Sequence, residues 1–571
     1  MTAKTAASPA APRHRSKAEK AAGRYGAALA AIVICSMMLR SALLAVLGVL
    51  ALLAFAVYRA YRAHRRWRQG GKSAARQRAG YQGWASRWQI RRLRASHAAL
   101  TRRLCPGAGL LVLGHAPRKG PVAVCRENSA LLIGPPGYGK SAAMACHAAD
   151  APGLLFCTST KTELLLDTLP YRDGPFWVLN ADGYGGIPST LAWSPVEGCE
   201  NPATAIRRAG DLMDASPRDP SGKDAYHEAR AARLLRYALH AAAITGQSMH
   251  DAAFWVRHPL SPQLLEILES DRACPGWASQ FTELLAGGRD GDWITGLVAS
   301  ASAALGWMDD PVMASAASPA GGEGFSAREF ARGHGSVYLI GKKRPHGSLA
   351  PYFAALGAEI FEQLKVRAME TASGRLPVPA TFVLDEMPLT CPMPLHDMLA
   401  EARGPLVTFI LAAQTLAQLR AKFGKEDGDT IRSACPVEMF FGGEKRHEDL
   451  ADVARVIGDV DTWHAAADAA GASSRPLMPP EALHRMKKMR AVILLPESRP
   501  VIAGTPVIWE RRGHVRADLA DVRARMRLTP AAAPLAIDPP RREAIPMPGA
   551  GPVTAPDAVP ALTREEDTTC V

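Results

Sequence analysis

A chain of 571 residues exceeds what one hydrophobic core organises, so two or more domains are expected. Its formal charge of +14 is uneven: residues 1–103 hold 21 Lys/Arg against one acid, Glu19, which leaves about −6 for the remaining 468. That excludes bulk charge as an argument for nucleic-acid binding, and ten cysteines without a C-x-x-C pair or Cys/His ligand spacing exclude a zinc or disulfide scaffold.

Residues 1–26 are Ala/Pro/Lys/Arg-rich and read as a disordered basic N-terminus. Residues 27–58 form the only long apolar stretch, broken by Arg40, with 17 uncharged residues from Ser41 to Val57. This is the expected transmembrane segment, as one long helix or a tight hairpin, because both flanks are basic and favour the cytoplasmic side. Residues 59–103 then carry 14 Lys/Arg and no acid, with Trp67, Tyr81, Trp84 and Trp88 interleaved. They read as a juxtamembrane flank, with a nucleic-acid arm as the alternative.

The next diagnostic run is Gly134-Pro135-Pro136-Gly137-Tyr138-Gly139-Lys140-Ser141, which reads G-x-x-x-x-G-K-S. Ala130-Leu131-Leu132-Ile133 before it suits a buried parallel strand, and Ala142-Ala143-Met144-Ala145 after it is strongly helix-forming. A strand, a glycine turn and a helix N-terminus aim backbone N–H groups at a phosphate chain. All eight residues are candidate nucleotide contacts, Lys140 as a charge on the phosphates and Ser141 as a Mg²⁺ ligand.

Further strands are expected at 153–157 and 176–179, each ending in polar residues of the kind that parallel α/β sheets place around ligands. Between 200 and 320 the spacing turns helical, at 203–215, 224–244 and 262–268, and no good strand pattern is visible, so an all-α insertion is predicted. Strands resume at Ser336-Val337-Tyr338-Leu339-Ile340, followed by a helix over 351–371. Thr381-Phe382-Val383-Leu384-Asp385-Glu386 is an apolar strand ending in two acids, suited to place Asp385 in the Mg²⁺ shell and Glu386 on the attacking water. A strand over 406–413 ends at Gln414, whose amide suits the γ-phosphate or its water, with a helix-start role as the alternative. Runs at 492–495 and 507–509 are candidate late strands, and residues 529–571 read as a disordered Pro/Ala-rich tail.

The order of these parts resembles the coupling ATPases of type IV secretion and conjugation systems. The likeness runs over roughly 105–510 and is most specific at Phe382-Val383-Leu384-Asp385-Glu386, Ala402-Arg403-Gly404, Ala413-Gln414-Thr415-Leu416-Ala417-Gln418-Leu419 and Phe423-Gly424. Ser159, Lys161 and Glu163, then Trp193-Ser194-Pro195 and Pro479-Pro480-Glu481, are similar to further landmarks of that family. Asn180-Ala181-Asp182, where Asp-Pro is common, and Pro388-Leu389-Thr390, where small residues are common, depart from it.

The resemblance implies an α/β, RecA-like P-loop NTPase domain in two parts, 104–199 and 321–528, around an all-α insertion at 200–320, with an N-terminal transmembrane anchor. It implies an ATPase using Mg²⁺, assembled as a hexamer at the inner membrane with its motor facing the cytoplasm. Relaxase-bound DNA, single-stranded, or protein substrates would be presented to secretion-channel proteins. Lys140, Glu386 and Gln414 would be catalytic, Ser141 and Asp385 would hold the metal, and Arg403 matches the arginine finger supplied in trans. The competing readings are a septal-type double-stranded DNA translocase and a nucleotide-gated docking platform for protein substrates.

Overall fold

The computed structural model describes residues 28–33, 53–59, 83–216, 225–287, 292–319, 324–342, 344, 347–462 and 473–527. The span predicted over 27–58 lies mostly outside them, as do the N-terminal 1–26 and the tail 529–571. Among the described residues no helix is long and apolar enough to cross a membrane. The described residues from Trp84 onward, with Ser473–Arg527, fall in one compact unit. That unit begins earlier than the basic flank predicted over 59–103 allows: Arg87–Leu104 is a helix packed on the sheet edge, started by a Ser86–Gln89 capping box and burying Ile90 and Leu93.

The unit is built on eleven strands. In chain order these are β1 (Leu111–Ala116), β2 (Gly120–Val124), β3 (Ala130–Ile133), β4 (Leu155–Ser159), β5 (Phe176–Asn180), β6 (Ser336–Ile340), β7 (Ala380–Leu384), β8 (Val407–Ala413) and β9 (Val437–Phe441). A separate two-stranded ribbon follows, β10 (Asp459–Thr462) with β11 (Ser473–Pro476), and the sheet is completed by β12 (Arg490–Leu495) and β13 (Ser498–Gly504). Across the sheet the order is β2-β1-β13-β12-β9-β3-β8-β7-β4-β6-β5. The seven strands from β9 to β5 are all parallel, and the four at the other edge are antiparallel.

The parallel strands read as unbroken apolar runs because both faces are covered. In β3, Leu131 and Ile133 enter the core on one face while Ala130 and Leu132 enter the core on the other; β8 divides the same way between Leu411 and Ile410. Helices fill the described residues from Pro202 to Ala316, with no strand among them. Their apolar faces, including Leu234, Trp255 and Phe281, join the same core as one face of the sheet. Asn201-Pro202 and Asp310-Pro311 each supply a side-chain cap followed by proline, which lacks the N–H that a helix start leaves unused.

The insertion is fastened to the sheet-bearing part by a buried charge cluster. Glu359, on the helix Ala350–Met369, accepts from Arg207 (2.5 Å) and Arg208 (2.6 Å) of the helix Pro202–Asp214, and from Gln363 (2.8 Å). Arg208 is fully buried, lies 4.6 Å from the Trp193 ring centre and donates to the Pro195 carbonyl. Burial alone would raise the Glu359 carboxyl, but Arg208 and Arg207 overcome it and hold it down at about 2.

One sequence expectation is corrected here. The run at 507–509 is no strand but a 3₁₀ turn, Ile508–Glu510. Pro506 offers no N–H to a ladder, and β13 is already paired on both sides, to β12 and β1. The strands β1, β2, β9 and β13 were not anticipated. β13 contains Pro500 and Arg499, and β1 is interrupted by Gly114, where a Cβ would come 2.6 Å from the Gly504 carbonyl oxygen.

Candidate active site

Parallel strands deliver their carboxyl ends to one side of a sheet, and three neighbours do so here. β3 pairs with β8 so that Ile133 faces Ala413, and β7 pairs with β8 so that Leu384 faces Leu411. The predicted phosphate loop therefore leaves β3 beside Gln414 at the end of β8, with Asp385-Glu386 at the end of β7 next along. Gly134 N–H donates across the gap to the Ala413 carbonyl (3.4 Å). Gly137 and Gly139 take φ of 80° and 108°, and Gly139 caps the helix Lys140–Ala149.

The side chains of these segments meet. The Ser141 hydroxyl donates to Asp385 Oδ2 (3.2 Å), and Gln414 Nε2 donates to Glu386 Oε1 (3.2 Å). Lys140 Nζ donates to the carbonyls of Gly134 and Pro135, inside its own loop. Glu386 sits at φ 49°, a left-handed backbone that a non-glycine residue adopts at a cost. Thr390 braces it, its hydroxyl donating to the carbonyls of Asp385 (2.8 Å) and Glu386 (3.3 Å). The departure noted at Pro388-Leu389-Thr390 thus supports the Asp-Glu turn.

Burial dominates the electrostatics. It lowers the Lys140 ammonium, against the opposing pull of Asp385, Glu386 and Glu444. It also raises the Asp385 carboxyl to about 6, helped by Glu386 and resisted by Lys140 and the Ser141 hydroxyl. The cluster so holds three carboxylates around one ammonium, with a hydroxyl and a carboxylate oxygen adjoining, a donor set suited to a hard cation. Among the described residues no group of three or more His, Cys, Asp and Glu forms a self-sufficient metal cage.

Sequence reasoning missed Glu444, which follows β9 on the other side of the loop and has a buried Oε2 without a hydrogen-bond partner. It also missed the buttress behind the loop: Met489 N–H donates to the Tyr138 carbonyl (3.0 Å), and a Cβ on Gly443 would lie 2.2 Å from the Tyr138 ring. Glycine at 443, with φ 84°, is what admits that ring.

Other predicted residues lie elsewhere. Arg403 follows the helix Leu395–Ala402 and stands at the amino end of β8, where it pairs with Glu127 Oε1 at 2.7 Å. A seven-residue strand, about 20 Å long, separates that end from the chain's own phosphate loop. Asp182 pairs with Arg344 (2.6 Å), and Lys161 and Glu163 form an exposed pair at 3.9 Å.

Residues 379–488 match the family model described as the TraM recognition site of TraD and TraG. No curated protein matches the chain by sequence. Among solved structures the chain is similar to the bacterial conjugative coupling protein TrwBdeltaN70 in its unbound monoclinic form, at 16% identity and TM-score 0.51, over 73% of this chain and 93% of that one. It is similar to plasmid coupling protein TrwB in complex with ADP and Mg²⁺, at 16% identity and TM-score 0.52, over 69% and 89%. The same protein with the non-hydrolysable ATP analogue ADPNP aligns at 14% identity and TM-score 0.52, over 74% and 93%. The resemblance to type IV coupling proteins read from the sequence is borne out to this extent: residues 379–488 match a model of a TraD/TraG segment, and the chain shares the fold of the coupling protein TrwB.

Proposed function

We propose that this chain is an ATP-hydrolysing motor that couples nucleotide turnover to delivery of relaxase-bound DNA or protein substrates to a type IV secretion channel. In this reading it is held at the inner membrane by the segment predicted over 27–58 and works as a homo-hexamer facing the cytoplasm. The observation that carries it is the convergence of Lys140, Ser141, Asp385, Glu386 and Gln414 at the ends of three adjacent parallel strands. The similar TrwB structures, in complex with ADP and Mg²⁺ or an ATP analogue, add support.

The residues present fit both groups. The loop from Gly134 to Ser141 has glycines at the positive-φ positions, and its own lysine satisfies loop carbonyls that it can exchange for phosphate oxygens. The Ser141 hydroxyl and Asp385 carboxylate would hold Mg²⁺, which supplies charge neutralisation on the phosphates when bound. Lys140 steadies the terminal phosphates. Glu386, its carboxylate aimed by Gln414, orients the attacking water and receives its proton. Arg403 lies too far from its own loop and completes the site of a neighbouring copy. The work is positioning plus electrostatics.

The test is ATP turnover by the full chain, with and without single- and double-stranded DNA, beside Lys140→Ala and Glu386→Gln. DNA-stimulated turnover that both variants abolish is expected. Turnover indifferent to DNA would favour the docking platform, and unchanged turnover in the variants would remove the site from these residues.

A further inference from the structure

A concentration of unpaired charge lies apart from the cluster just described. A groove of about 540 Å³ is lined by Arg87, Arg91, Arg94, Arg118, Lys119 and His115, with no acidic residue in its lining. Arg87, Arg91 and Arg94 recur at helical spacing along one face of Arg87–Leu104, and Arg118 and Lys119 come from the turn joining β1 to β2. Lys119 fastens the two parts by donating to the Ala85 carbonyl (2.7 Å). No ion pair joins Arg87, Arg91, Arg94 or Arg118 to another of the described residues.

Two physical points make this more than an ordinary solvated face. The helix places arginines in its first turns, where the macrodipole is positive, with no acid in the first turn to offset them. Like charges four residues apart add to the mutual repulsion. Such an arrangement opposes folding of the chain alone and is relieved by an external anion. The groove also lies apart from the nucleotide site. β1 stands four strand positions from β3 across the sheet, with β13, β12 and β9 between them, about 19 Å at the usual strand spacing.

We propose that this groove seats the phosphate headgroup of an anionic phospholipid, docking the motor against the membrane surface. It deepens the membrane-anchored reading and rests on it. In the sequence the helix begins 29 residues after Tyr58, the end of the apolar stretch, and that interval holds eight Lys/Arg and no acid, with Trp67, Tyr81 and Trp84 within it. Trp88, on the helix itself, is 64% exposed, and the Arg92 guanidinium lies 5.3 Å from its ring centre. An exposed indole beside arginines is the side-chain set that settles at headgroup depth. A compact pocket suits one or two phosphates, whereas a polynucleotide needs a track.

The test uses the full chain in an uncharged detergent, titrated calorimetrically with short-chain phosphatidylglycerol or phosphatidylcholine below their micelle concentrations. Phosphatidylglycerol is expected to bind about tenfold or more tighter, and the triple variant Arg87→Gln/Arg91→Gln/Arg94→Gln to lose that preference while ATP turnover stays put and the unfolding midpoint rises. Arg118→Gln, on an exposed turn, reports separately and should weaken the preference even if the triple variant misfolds. Equal binding of the two lipids, or a preference that survives these substitutions, would overturn the proposal. A single-stranded oligonucleotide that binds tightly and displaces the lipid, with its own loss in the same variants, would give the groove to nucleic acid instead. Alkaline extraction of membranes reads the anchor independently: a chain that stays in the membrane yet shows no lipid preference sinks the groove alone.

Discussion

Replacing Gln414 by alanine isolates one function of the strand-end cluster. Its Nε2 donates to Glu386 Oε1 at 3.2 Å in a half-buried setting, while its backbone N–H is held separately by Gln418 Oε1 (2.9 Å). The substitution therefore deletes the amide without releasing the chain, and Gly134 keeps its bond to the Ala413 carbonyl. A hydrogen bond to a charged acceptor contributes roughly 1.5–3 kcal/mol. At about 1.4 kcal/mol per decade, full use of it to aim Glu386 predicts a fall in kcat of about 10- to 100-fold. The affinity for ADP, set at the loop rather than at Glu386, should stay within about twofold, so kcat/KM falls with kcat. Gln414→Glu should be worse than Gln414→Ala above neutral pH, because it sets a second carboxylate against Glu386. Steady-state turnover paired with fluorescent-ADP binding separates these quantities. A Gln414→Ala protein with normal kcat and a raised KM would refute the positioning role and move Gln414 to ground-state binding.

Two further perturbations test other parts of the molecule. Glu359→Ala strips fully buried Arg208 of its ion-pair partner, leaving Asp211 beside Arg207 (3.5 Å) as the remaining carboxyl, and should destabilise the chain by about 3–5 kcal/mol, read as a lower urea midpoint. Since the folded-state carboxyl is held down at about 2, its contribution is present above the ordinary glutamate value of about 4.5 and is lost as pH falls through 2. The gap between wild type and variant should therefore close between about pH 4.5 and pH 2, and a gap constant across that window would show that packing, not charge, sets it. Arg403→Ala should lose turnover as the sole species, and inactive Arg403→Ala and Glu386→Gln proteins should regain activity when mixed; failure to regain any would place Arg403 outside a shared site.

How much of this was legible in the sequence depends on whether the chemistry was contiguous. The phosphate loop is eight successive residues on a strand–turn–helix, and Asp385-Glu386 ends an apolar strand, so each could be read where it stands. The match of Ser336–Ile340 to its predicted bounds has the same origin, a buried parallel strand with no polar interruption. In the antiparallel edge β12 answers the run expected at 492–495, but β1, β2 and β13, and β9 beside them, were not legible, because these strands carry what strands usually avoid. Glu438 lies in β9 because Arg432, six residues earlier, neutralises it at 3.2 Å, and Gly114 lies in β1 because the β13 backbone comes too close for a side chain. Glu444 carried no signal of its own; only β9 lying beside β3 brings it to Lys140.

Arg403 shows why contiguity also limits such readings. It stands 18 residues past Asp385, where the residues alone read as readily as a surface arginine and only the family resemblance points to a site in trans. The chain between them turns back along the helix Leu395–Ala402, so Arg403 emerges where β8 starts and Asp385 where β7 finishes. Those are opposite ends of adjacent parallel strands, and the pairing partner found there, Glu127, comes from the approach to β3. A guanidinium fixed at the amino end of the sheet can meet a phosphate loop at the carboxyl end only if two copies of the fold are placed with unlike ends together. Strand direction, which no local motif records, is therefore what sets Arg403 apart from its own chain's strand-end cluster.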